Sequence, residues 1–266
     1  MFHRTKQRWG MKSLITCLAI LLFTFSQTGF AQKYREEEKT FAIDKNGYVS
    51  IETYKGSIIV ETWDKAEVYI QVKIEADDEG WSNTNPEEQL ENVKIKYDAS
   101  QNSVRIESKY DKNRSFWGSE TLALVHYKIK MPKTANLEID DYKSDTDIKN
   151  LQADIKMETY KGRVDITGLA GGVDLETYKG DAKIDFSELK NSCRLETFKG
   201  NIELSLPGNS KFDLNIDTDR KGDFDCDFDY SSSGRNREDV VRGSVNGGGH
   251  LIEFETSKGD LRIRKK

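Results

Sequence analysis

The 266-residue chain carries only three prolines, three histidines and three cysteines. It also lacks any long run of Ala, Leu and Glu at helical spacing. Each shortage removes a class of protein. So few prolines leave nearly all of the backbone free to pair in sheets. Beyond residue 31 the histidines are His126 and His250, and neither stands near another His or a Cys at zinc-site spacing. No phosphate loop, dinucleotide fingerprint or Gly-x-Ser-x-Gly elbow occurs. A catalytic cysteine would need a histidine partner, and none is local in sequence. The one apolar run of any length, residues 14–25, falls short of the ~20 residues of a spanning helix.

That run reads differently with its flanks. Arg4, Lys6, Arg8 and Lys12 precede it, and Gly29-Phe30-Ala31 follow it. Basic, then apolar, then small residues at −3 and −1 is the order of a cleavable secretory signal. The expectation is cleavage after Ala31, with a start at Met1 or Met11; an uncleaved anchor is the alternative. Cys17 sits at the front of the run, the wrong place for a lipid-modified cysteine. The exported chain would carry 37 basic and 46 acidic residues, a net charge of −9. Such acidity disfavours nucleic acid and anionic membranes as partners. An exporting route permits a disulfide between Cys193 and Cys226. Both lie in apolar alternation, so two buried free thiols is the competing arrangement.

Alternation is what the sequence has in abundance. Val, Ile, Thr, Tyr and Phe alternate with charged residues over most of the chain, the period-2 signal of strands with one buried face. A motif recurs within it. Glu-Thr-Tyr-Lys-Gly occupies residues 52–56, 158–162 and 176–180, with Phe for Tyr at 196–200 and Ser for Tyr at 255–259. Worn copies lie at 141–144 and 217–222. Periods near twenty residues mean one supersecondary unit repeated and stacked. Neighbouring copies ~4.8 Å apart would set equivalent residues in ladders. Tyr54, Tyr142, Tyr160, Tyr178 and Phe198 would form one column. Lys55, Lys143, Lys161, Lys179, Lys199 and Lys258 would form the next, and Glu52, Glu158, Glu176, Glu196 and Glu255 a third.

Two readings of the columns stay open. They stabilise the stack, with Glu offsetting Lys across strands. Or they form an aromatic and cationic strip, centred on Lys161, Lys179 and Lys199, whose ring faces stack on sugars or meet a protein. The motif glycine is expected at a turn that needs positive φ.

Residues 36–130 read as less regular strands broken by two polar loops. One spans 76–89 with Trp81 and Pro86; the other spans 111–119 with Trp117. A tryptophan in a polar loop is a candidate contact residue, or else a cover for an open sheet edge. Asp223, Asp225, Asp227 and Asp229 alternate along one face. That is a solvated strand face, or a weak calcium site between rungs.

These features together resemble a known bacterial family. Residues 47–63, the strand ending Lys128-Ile129-Lys130-Met131-Pro132, the tandem Thr-x-Lys-Gly repeats and the stretch 246–263 match a putative-adhesin domain of unknown function, related to the auto-transporter adhesin head domain. The resemblance covers nearly all of the exported chain. It implies an all-β, right-handed β-solenoid or β-helix-like stack, and it brings no catalytic motif.

The expected layout is a signal peptide over 1–31, a β-rich portion over 32–130 and repeats over 131–266, with 32–266 continuous. The expected function is a non-enzymatic envelope or surface protein, periplasmic, surface-bound or secreted, without a cofactor. Its partner would be a glycan or an envelope protein. A polysaccharide-cleaving enzyme using paired carboxylates is the second hypothesis. A scaffold of an envelope-stress system is the third.

Overall fold

The computed structural model describes residues 34–77, 85–111, 122–219, 221–232 and 239–266. Residues 1–31, read above as a signal peptide, and Trp81 and Trp117 lie outside the described residues. Gln32–Lys266 forms one compact unit. In chain order the strands are β1 (Tyr34–Ala42), β2 (Tyr48–Trp63), β3 (Glu67–Glu75), β4 (Val93–Ala99), β5 (Ser103–Tyr110), β6 (Leu124–Pro132), β7 (Asn136–Lys149), β8 (Ile155–Lys161), β9 (Val164–Thr177), β10 (Ala182–Thr197), β11 (Ile202–Leu206), β12 (Phe212–Asp217), β13 (Phe224–Cys226), β14 (Tyr230–Ser232), β15 (Val240–Val245), β16 (His250–Thr256) and β17 (Leu261–Lys265). All join in one sheet that coils as a β-solenoid.

The stack is parallel and in register. Leu137 pairs with Ile155, Ile155 with Val173, and Thr177 with Thr197. Each rung has two arms that meet at the motif. On the first arm Ile51, Ile139, Met157, Leu175, Leu195, Phe254 and Ile216 form one buried row. On the second arm Val60, Ile148, Ile166, Ile184, Leu204 and Ile263 form another. Each such side chain contributes ~1.5–3 kcal/mol through burial, so the alternation read from sequence is also the main source of stability.

Spatial order departs from chain order at both ends. The copy at 52–56 belongs to the stack: β2 pairs with β7 on one side and with β5 and β6 on the other. At the far end, β16 lies between β10 and β12, and β17 between β11 and β13. The last copy in sequence is therefore not the last rung. The chain leaves a slot after β11, builds the next rung with β12 and β13, and turns back through β14 and β15, which run antiparallel. It then fills the slot with β16 and β17. Antiparallel strands β3 and β4 flank the other end, on β6 and β5. Such caps keep a parallel stack from presenting a long open edge.

One loop expectation is corrected. Within 76–89 and just beyond it a short helix α1 (Pro86–Glu91) forms. The Asn85 side chain accepts from the Glu87 amide at 3.2 Å, Pro86 opens the helix and Glu87 and Glu88 are acidic in its first turn. These are helix-start signals that were present in the sequence.

Candidate binding groove along the repeat corner

The motif builds the corner between the two arms, residue by residue. Its threonine points inward and is buried at positions 53, 159, 177, 197 and 256. Thr177, Thr197 and Thr256 accept from the amides of Gly180, Gly200 and Gly259 at 3.0, 2.8 and 2.8 Å. The hydroxyl thus satisfies a buried corner amide that no strand can pair. Asp141 does the same work in the worn copy, accepting from the Ser144 amide at 2.7 Å. This role of threonine was missed in the sequence, although its recurrence in all five full copies was the signal.

The glycine expectation needs correction. Only Gly56 and Gly162 among the motif glycines have positive φ. At Gly200 a Cβ would come within 1.9 Å of the Gly180 carbonyl oxygen, and at Gly259 within 1.9 Å of that of Gly200. The cause is close approach of one corner to the next. The same contact repeats at Gly180 against Gly162 and at Gly222 against Gly259.

The aromatic column is continuous. Tyr54, Tyr142, Tyr160, Tyr178 and Phe198 stack with centroids 4.7–4.8 Å apart and planes within 8° of parallel. Tyr110 meets Tyr54 edge-on at 5.8 Å and closes that end. Each interior ring therefore has both faces covered by its neighbours. Sugars cannot stack on them, contrary to the face-stacking reading. The column offers ring edges and hydroxyls instead, and Tyr54, Tyr142, Tyr178 and Phe198 remain more than a third exposed.

The charge columns also differ from expectation. Glu158 pairs with Lys156 at 3.2 Å, Glu196 with Arg194 at 3.4 Å and Glu52 with Arg105 at 2.8 Å. None of these cations is a motif lysine. Lys55 pairs with Asp77 at 2.7 Å, while Lys161 and Lys179 lie 5.5 and 5.2 Å from the centroids of Tyr160 and Tyr178. Lys199 is exposed. The motif acids and the motif lysines are thus not paired with one another among the described contacts. Beside the rings a groove of about 510 Å³ runs along the stack, lined by Asp140, Glu158, Glu176, Glu196, Glu255, Asp217 and the ring edges. No lysine or arginine lines it among the described residues. Its field is felt locally: partial burial and then the neighbouring Glu158 and Glu52 raise the Asp140 carboxyl above its usual range. Burial raises Asp141 as well, against hydrogen bonds from Ser144 and Thr159.

A family model matches residues 44–264, which takes in every rung and the groove. The chain belongs to the Toastrack DUF4097 family. Among solved structures, this Toastrack chain is similar to a putative cell adhesion protein from Clostridium sporogenes, at 13% identity and TM-score 0.47 over 87% of this chain and 100% of that one. It is also similar to a putative adhesin from Bacteroides fragilis, at 9% and 0.30 over 87% and 97%. A putative lipid binding protein from Parabacteroides distasonis follows, at 12% and 0.23 over 87% and 96%. No curated protein matches the sequence.

The remaining candidates of the Toastrack chain lie apart from the groove. Cys193 is buried and paired in register with Val173 and Ile252, whereas Cys226 stands beside Ile263 on the other arm. Both are free thiols, and burial pushes Cys193 up to about 12. Asp225 and Asp227 are met by the Arg264 guanidinium at 2.7 and 3.1 Å, so a cation of the chain already sits where the calcium reading put an ion.

One constellation had no sequence signal, because its members are far apart in the chain. Ser57 Oγ lies 2.9 Å from His126 Nδ1, and His126 Nε2 lies 3.9 Å from Glu75. Burial lowers the His126 pKa. Ser57 and His126 are ladder partners on β2 and β6, and Lys73 is the β3 partner of His126. The row thus brings a hydroxyl and an imidazole within hydrogen-bond distance, beside a pocket that Gln71, Lys73 and Lys128 also line. Among the described residues no helix is long and apolar enough to cross a membrane.

Proposed function

We propose that this Toastrack protein is an exported, non-enzymatic binding protein of the cell envelope, and that the acidic groove beside the aromatic column is the face it presents to a macromolecular partner. The observation that carries this reading is the acidic lining of the groove along the column. Glu158 and Glu196 have cation partners on their own strands, yet those cations stay out of the groove lining. Here the acids and the ring edges line one groove, and none of the described residues that line it is a lysine or arginine. The groove also runs across successive rungs, a shape suited to an extended chain more than to a small molecule. Export is supported by the order of basic, apolar and small residues before Gln32.

The acidic wall favours a cationic protein segment over an acidic saccharide. The test is capture from the native envelope with wild-type protein and with Glu158→Lys/Glu176→Lys, both positions exposed and outside the core. The variant should keep the wild-type circular dichroism and lose the wild-type partner. A folded variant that captures the same partner equally well refutes the groove as the binding face.

A further inference from the structure

The aromatic column ends abruptly, and its end differs from every interior position. Thr197 pairs with Thr256, which sets Ser257 opposite Phe198 where the earlier rungs place a ring. One face of Phe198 is covered by Tyr178 at 4.7 Å; no ring stacks on the other among the described residues. Phe198 is 37% exposed. The ammonium of Lys258 lies 5.6 Å from its ring centroid, so this aromatic position already attracts a cation of the chain itself. Around the gap, Glu196, Glu255, Asp217, Asp219 and Ser257 line the end of the groove.

We infer that this gap is a slot for the guanidinium of an arginine on a polypeptide partner, which would take the place of the missing ring. The inference rests on reading the groove as the binding face and names what the groove grips. A guanidinium is flat and stacks on an aromatic face as the next ring of the column would. Its fork of donors reaches carboxylates in pairs, and the acids here flank the slot. It is also more weakly hydrated than an ammonium, so it displaces Lys258 at low cost. A neutral sugar would leave the carboxylates unanswered, and a divalent ion would leave the ring face bare.

The probe is an acetylated, amidated Gly-Arg-Gly peptide, compared with Gly-Lys-Gly and Gly-citrulline-Gly, titrated into the full exported chain by NMR. The expected result is shifts centred on Phe198 and Ser257. Binding should be at least fivefold weaker for lysine and at least tenfold weaker for citrulline, which keeps the shape and loses the charge. Ser257→Tyr supplies the residue that other rungs carry, so it should fold, stack on Phe198 and abolish binding. Phe198→Leu removes the flat face and should also abolish it. Equal affinity for the arginine and citrulline peptides, no detectable binding of the arginine peptide, or unchanged binding by folded Ser257→Tyr overturns the slot. Envelope capture separates the two claims. Capture that survives Ser257→Tyr but is lost in Glu158→Lys/Glu176→Lys sinks the slot and leaves the groove standing.

Discussion

Gly200→Ala is the sharpest perturbation of the stack. The added methyl would sit 1.9 Å from the Gly180 carbonyl oxygen and 2.8 Å from its carbon, with Thr197 Oγ1 at 3.1 Å. The first two atoms are backbone held by ladder bonds on both arms, so the rungs must separate. Overpacking of this kind costs ~1–3 kcal/mol. Moving the corner also strains the 2.8 Å bond from the Gly200 amide to Thr197, worth ~1 kcal/mol. The sum is ~2–4 kcal/mol, and a domain of this size loses ~2–4 °C per kcal/mol. Urea unfolding followed by circular dichroism reads the loss as a lower midpoint. Two controls isolate the cause. Gly208→Ala meets mainly the flexible end of Lys265, at 2.9 Å, and should change stability by less than ~0.5 kcal/mol. Gly247 has φ of +90° and open space around it, so Gly247→Ala should cost only the ~1–2 kcal/mol of left-handed backbone. A Gly200→Ala midpoint within error of wild type would refute close approach as the reason for glycine at the corner.

Other perturbations probe the same corner. Thr197→Val keeps the shape and leaves the buried Gly200 amide without its acceptor, so urea unfolding should show a loss of ~1–3 kcal/mol. Tyr178→Ala removes two stacked pairs at once, at ~0.5–1.5 kcal/mol each beyond lost burial, and thermal melts should show a larger loss than for Tyr54→Ala. Tyr54 has a ring stacked on one face only and an edge contact with Tyr110. Asp141 has a raised carboxyl pKa, so the folded chain holds its proton more tightly than the unfolded chain. Its ionisation therefore costs stability as pH rises from the ordinary aspartate range through the raised value, and the cost is absent below that window. Asp141→Asn should improve relative to wild type between pH 4 and pH 7 in matched urea melts; a constant difference would show that Asp141 has no such linkage.

Much of the fold was legible because one physical pattern wrote it many times. Strict alternation named the buried rows from Val164 to Leu206, and the repeat of about twenty residues named the columns. What escaped lay where several copies interact. The place of residues 255–259 between two earlier rungs depends on how the chain caps its end, and no local signal marks that excursion. The glycines were read through single-residue conformation, whereas at Gly200 and Gly259 the constraint comes from the next rung. The column of rings was foreseen, but its consequence was not: a 4.7 Å spacing consumes the faces that a sugar would need. Charge partners were misassigned for a similar reason. Lys156 and Arg194 lie two residues from the glutamates on the same strand face, nearer in space than the motif lysines.

The central claim is that the acidic groove along the corner is where a partner sits. Photo-crosslinking in the native cell tests it most directly. A photoreactive residue replaces Glu176 in the groove or, as the comparison, Lys183, which is exposed on the second arm of the same rung. The groove placement predicts a discrete cross-linked protein from position 176 and none from position 183. Cross-linking from 183 alone, or equally from both, would contradict it.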